Sequence, residues 1–194
     1  MMRKRLALNL MIEPGFCICA AIILLSLPMA WSLSWLVSVL FHEFCHIVTL
    51  LLFRKKICSI KIGLFGAQIN TEILEPFVEL VSASAGPLGG VLLMIFIRAY
   101  PQLSICALVQ SIFNLLPIYP MDGGRIIHGL FSMFFNDEKT KKLCNRIEVI
   151  TYIFLLLILL FLMVISGWYF LCGVIFLPVL RQILINLLAK KNNR

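Results

Sequence analysis

The chain has 194 residues, of which 61% are hydrophobic and 13% charged, with a formal net charge of +8. Soluble domains run at about 45–50% apolar and about 25% charged, so this chain carries too little polar material to cover a water-facing surface. The length suits one membrane-embedded domain spanning 1–194. Its seven scattered cysteines, with no CxxC pair, exclude a zinc ribbon or a disulfide scaffold.

A span needs roughly 20 apolar residues, and on that basis the expected fold is an all-α polytopic membrane protein of about six transmembrane helices. They fall near 14–29, 31–53, 77–97, 101–120, 147–166 and 168–189. Arg3-Lys4-Arg5 is like the basic region of a signal peptide, yet no small-x-small cleavage site follows, so the first segment reads as a retained helix.

The second span, Trp31 to Phe53, contains His42-Glu43-Phe44-Cys45-His46. Residues i and i+4 share a helix face, so both imidazoles can grip one metal ion with Glu43 beside it. Ionisable groups inside a bilayer are costly and mark function by default. This pattern points to a metalloenzyme in lipid.

Ile57 to Glu72 has a different texture. It is short, β-branched and punctuated by glycine, which predicts a small hairpin between the second and third spans. A sheet edge beside a metal could pair with an unwound substrate strand; the plainer reading is a loop hairpin with no substrate contact. The third span carries Ser82-Ala-Ser84-Ala-Gly86-Pro87-Leu-Gly89-Gly90, a run that also suits ordinary small-residue helix packing.

The fourth span closes on Asn114-Leu-Leu-Pro117-Ile-Tyr-Pro120-Met-Asp122-Gly123-Gly124. Two prolines three apart cannot continue a regular helix. Broken backbone at membrane depth is tolerated only when buried in protein or lining a wet cavity. The second and fourth spans run in the same direction, so unwinding after Asn114 would bring Asp122 to the depth of the histidine pair. Two imidazoles and one carboxylate leave a fourth tetrahedral position for water, as in catalytic zinc sites. Glu72 and Glu79 remain alternative third ligands. His128, beside a basic loop, reads as a packing residue.

With the N-terminus cytoplasmic, Arg98 is the one basic residue of 17 left on the outer side. That asymmetry sets orientation, with both termini inside. The positive charge is divided among tails and loops and not gathered on one aromatic-laced face, so it argues for lipid contact and against nucleic acid.

At these motifs the chain resembles the site-2 protease family of intramembrane zinc metalloproteases. The matches are HEFCH at 42–46, SASAGPLGG at 82–90 and NLLPIYPMDGG at 114–124, in the family's order across core residues 31–130, with further helices over 147–189. The six-span layout is most similar to the sporulation-type branch that processes pro-sigma-K; the PDZ and nucleotide-sensing domains of relatives do not fit within 194 residues. Gly90 stands where the family usually has asparagine.

The resemblance implies Zn2+ held by His42, His46 and Asp122, with Glu43 as general base and then acid. It implies substrate-binding roles at Asn114, Pro117 and Gly86. The expected client is a membrane protein or membrane-associated proprotein, cut near the cytoplasmic face of a bacterial plasma membrane. The rival classes are a catalytically silent membrane adaptor, which would commonly lose the base or a ligand, and a metal transporter, which would string ligands across several spans. Nothing in the sequence speaks to oligomeric state.

Overall fold

The computed structural model describes residues 9–63 and 66–166. In chain order these form β1 (Asn9–Ile12), α1 (Pro14–Ser26), α2 (Met29–Leu52), β2 (Ile57–Gly63) and β3 (Gly66–Thr71). They continue with α3 (Pro76–Leu92) and its 3-10 extension Leu93–Phe96, then α4 (Pro101–Asn114), α5 (Asp122–Ser132) and α6 (Asp137–Ser166). The chain divides into two compact units, Met1–Thr140 and Lys141–Arg194. The first holds β1 to α5; the described part of the second is the body of α6.

The first unit is inside out relative to a soluble protein. Its buried side chains include Ser32, Ser38, His42, His46, Ser82, Ser104, Ser111 and Asp122, while Leu25, Met29, Leu52 and Ile95 are among the most exposed. An apolar exterior around a polar interior is stable only when the surroundings are hydrocarbon. This is a membrane protein.

Three helices among the described residues are long and apolar enough to cross a bilayer: Met29–Leu52, Pro76–Phe96 and Asp137–Phe161. Over the spans expected at 14–29 and 101–120 the helical part is shorter than the expected segment. At 1.5 Å per residue, α1 with 13 residues and α4 with 14 reach only about 20 Å, against roughly 30 Å of hydrocarbon. The cause is proline in both cases. Pro28 ends α1 early, because the residue before a proline is pushed out of helical geometry, and Ser32 Oγ stitches the break by donating to the Ile23 carbonyl at 3.3 Å. Downstream of α4, Pro117 and Pro120 leave residues 115–121 non-helical, with the Tyr119–Pro120 bond cis. The segment expected at 147–166 starts ten residues earlier, since Asp137 and Glu138 favour a helix N-terminus. The segment expected at 168–189 lies outside the described residues.

The predicted hairpin is present, with Ile60 opposite Ile69 and Lys61 opposite Gln68. It is widened by a strand that no sequence pattern announced: β1 pairs parallel with β2, setting Asn9 against Ser59 and Ile12 against Ile62. The order β1-β2-β3 leaves β3 at an edge. Four residues are too few for the alternation that identifies a strand from sequence.

Helix α3 packs against α2, α4 and α5, and α2 packs against α4. Small residues make this closeness possible: Ser82, Ala83, Gly86, Gly89 and Gly90 are all buried along α3. A Cβ at Gly90 would stand 2.9 Å from the Ala107 carbonyl of α4 and against Ser111 Oγ, so a larger side chain such as asparagine would not fit this contact.

Helix α2 stops in a Schellman turn, with Lys55 N donating to the Leu50 carbonyl and Arg54 N to the Leu51 carbonyl. The left-handed residue this turn demands is Arg54, at φ 55°, where a side chain costs about 1 kcal/mol relative to glycine. Arg54→Gly is thus expected to raise stability by about 1 kcal/mol, read as a shift in the unfolding midpoint of detergent-solubilised protein.

Candidate metal centre

Helical spacing on α2 sets His42 and His46 on one face, and their Nε2 atoms stand 3.2 Å apart. Asp122, the first residue of α5, points its Oδ2 at both, 2.9 Å from His42 Nε2 and 3.2 Å from His46 Nε2. All three residues are buried. A tetrahedral metal ion with bonds of 2.0–2.1 Å has donor–donor edges of about 3.3–3.4 Å, so the triangle is nearly the right size without adjustment.

The electronic case is stronger than the size. His46 Nδ1–H donates to the Ser82 carbonyl at 2.7 Å, which leaves the neutral ring with a lone pair on Nε2 facing the Asp122 carboxylate. Such a backbone partner fixes ring orientation and tautomer in metal sites. Two lone-pair donors this close in a dry interior are stable only with a proton or cation between them. Asp122 Oδ2 completes the cluster as its third donor atom. The other oxygen, Oδ1, faces the Arg125 guanidinium at 3.8 Å. Two imidazoles and a carboxylate are a donor set that fits a divalent cation. Among the described residues this is the one group of three such donors able to share an ion.

The other predicted residues arrange around this triangle. Glu43 lines a cleft of about 530 Å³ with the three donors and Asn114. Asn114, the last residue of α4, sets its amide Nδ2 3.1 Å from His42 Nε2. Pro117 lies in the non-helical stretch between Asn114 and Asp122. Gly86 faces the rings from α3; a Cβ there would lie 2.6 Å from His42 Nε2 and 2.6 Å from His46 Cε1. The alternative ligands are engaged elsewhere: Glu79 accepts from His128 Nδ1 at 2.9 Å, and Glu72 faces the Lys56 amide at 3.4 Å.

Several contributors escaped the sequence reading. Ser82 acts through its carbonyl, and a backbone acceptor leaves no mark on residue type. His128, expected to be a packing residue, is instead paired with Glu79. Ser38 donates to Gln110 Oε1 at 2.6 Å, one helical turn before the His42–Asn114 contact on both helices. The two rungs, 38 with 110 and 42 with 114, fix the register of α2 on α4. A glutamine one turn before Asn114 was the available signal.

A profile of Peptidase family M50 matches residues 67–158. The chain is 33% identical over 125 residues to a zinc metalloprotease of Methanocaldococcus jannaschii, covering 57% of this chain and 37% of that protein. It is 29% identical over 157 residues to stage IV sporulation protein FB of Bacillus subtilis (71% and 53%). By these matches the chain is similar to peptidase family M50, the site-2 protease family. The chain spans about a third to a half of the length of those two relatives. Its fold is that of the site-2 protease from Methanocaldococcus jannaschii, with a TM-score of 0.64 over 89% of this chain and 88% of that one, at 24% identity.

The close approach of Gly86 makes it a test of the donor set from a neighbouring helix. Gly86→Ala is expected to displace both imidazoles and lower bound metal per protein at least about 10-fold, on the scale of other perturbations around a metal's ligands. Metal analysis of the purified variant checks this.

Proposed function

We propose that this chain is an intramembrane zinc metalloprotease, hydrolysing a peptide bond in or near a transmembrane segment of a membrane-associated client, close to the cytoplasmic face. The observation that carries the reading is the buried convergence of His42 Nε2, His46 Nε2 and Asp122 Oδ2 at 2.9–3.2 Å, in a cleft that also holds Glu43 and the edge strand β3.

His42 and His46, as neutral imidazoles, and the Asp122 carboxylate would hold the zinc ion. Bound there, zinc supplies Lewis acidity, polarising a scissile carbonyl and making water a better acid near neutrality. Glu43 takes the proton of the attacking water and delivers it to the departing amide nitrogen, base first and acid second. Asn114 offers an amide N–H at the His42 side of the cleft, suited to a substrate carbonyl. Pro117 keeps the backbone beside it out of a helix, and Gly86 keeps the centre of the donor triangle clear of a side chain.

A peptide bond in a transmembrane helix is hidden by its own turn, so the client must present an extended stretch. Ile69, Asn70 and Thr71 of β3 line the cleft, and a strand added there would gain backbone hydrogen bonds beside the donor triangle. Clients with helix-breaking residues near the cleavage site satisfy this most easily. The stage IV sporulation protein FB match supports a proprotein client held at a bilayer, and the basic asymmetry supports a bacterial plasma membrane with both termini cytoplasmic.

Two outcomes are expected. Glu43→Gln keeps its zinc but loses cleavage of a membrane-anchored model peptide by about 10²–10⁴-fold, the usual share of a proton relay; normal cleavage would refute the mechanism. Reporter fusions after Lys56 and after Lys142 read cytoplasmic and a fusion at Tyr100 reads external. A cytoplasmic Tyr100 would overturn the orientation.

A further inference from the structure

Asp122 reaches the histidines only because α5 is held against α3, and the place where it is held lies outside the donor triangle. Asp122 is the first residue of α5 and follows seven non-helical residues, so the start of α5, where Gly123 and Gly124 pack on that connection, is only one of its two fixing points. Six residues on, about 9 Å along the helix, His128 Nδ1–H donates to Glu79 Oε2 of α3 at 2.9 Å. Next to it, Gly129 lies against the backbone of α3: a Cβ there would be 2.9 Å from both Leu80 N and the Pro76 carbonyl. Away from its start, helix α5 thus meets the first turns of α3 through a flush contact at Gly129 and a polar bond at His128.

The α3 side of this bond is equally specific. Ser82 Oγ donates to the Glu79 carbonyl at 3.1 Å, and the Ser82 carbonyl accepts from His46 Nδ1 at 2.7 Å. One turn of α3 therefore orients His46 at one end and grips the helix of Asp122 at the other. Two of the three donors are referred to the same four residues.

We infer that the Glu79–His128 pair is a latch that positions Asp122 against the histidine pair, making Glu79 and His128 positioning residues for the metal centre. The inference rests on the metal-site reading above and deepens it. The bond is partly exposed, with His128 and Glu79 side chains 36% and 18% accessible and both lining the cleft. It therefore acts by direction more than by strength, as the outer partners of metal ligands do. Without it α5 keeps its Gly129 contact but can pivot there, and the Asp122 carboxylate moves out of register with His46.

Cobalt(II) is the probe, because its visible d–d absorption is strong in tetrahedral sites and weak in octahedral ones. Titration of the detergent-solubilised full chain gives affinity and geometry without any substrate. Wild type is expected to show the tetrahedral band and His42→Ala to lose it. If wild type lacks the band, the metal-site reading falls and the latch with it. His128→Leu, close in volume but without the N–H, is expected to bind cobalt about 10–100-fold more weakly with a weaker, shifted band. Glu79→Leu cuts the same bond from α3 and serves if His128→Leu does not fold. Glu79→Gln, which still accepts from His128, and the exchange Glu79→His with His128→Glu are expected to restore the wild-type band. A wild-type band and affinity in the leucine variants would overturn the latch while leaving the metal site standing. Failure of both restoring variants would overturn it as well.

Discussion

The whole arrangement turns on one electrostatic conflict: two imidazole nitrogens and a carboxylate oxygen face one another at 2.9–3.2 Å in a dry interior. Such groups repel unless a positive centre lies among them, and leaving a buried charge unpaired costs several kcal/mol. The fold holds them there regardless. His46 is oriented by a carbonyl of α3, His42 is met by an amide from α4, and Asp122 comes in on its own helix. The helices around the triangle supply not the chemistry but the constraint.

That constraint explains features which otherwise look like defects of a membrane bundle. Helix α4 is short, because Asn114 must end it for the backbone to turn and deliver Asp122. Helix α3 is stripped of side-chain bulk along one face, since a single methyl at Gly86 would occupy the space the rings converge on. Serines line the interior of α2, α3 and α4, and two of them bond across helices, Ser38 to Gln110 Oε1 and Ser104 to the Leu93 carbonyl. In hydrocarbon, where the hydrophobic effect does not drive helices together, small residues and such polar bonds are what hold them close. Beside the same short helices lies a cleft of about 530 Å³ that the triangle lines.

The three-stranded sheet gives the cleft its other wall. A bundle of helices alone has no free backbone donors or acceptors to offer a peptide, because every amide is engaged within its own helix. A strand edge has them. The proposed cleavage inside a membrane needs a place for charge and a surface that recognises backbone, and β3 beside the donor triangle is suited to the second.

Much of this could be read from the chain. HEFCH within an apolar run requires, by helical spacing alone, that two imidazoles share a face. Two prolines three apart require a break after Asn114, and the β-branched run after Lys56 requires strands and not helix. These are local rules, each acting over a few residues, so they survive translation into structure. Span lengths did not survive intact: apolar composition says what lipid tolerates, while Pro28 and Pro117 determine where the helices stop. The pairing of β1, the Ser82 carbonyl under His46, the rungs from Ser38 to Gln110, and the Glu79–His128 bond were legible nowhere. They join residues up to 72 positions apart or act through backbone atoms that every residue possesses. Local spacing named the donors; only the packing of α3 against α2 and α5 could decide which carboxylate joined the histidines, since Glu72, Glu79 and Asp122 are chemically equivalent until the helices meet.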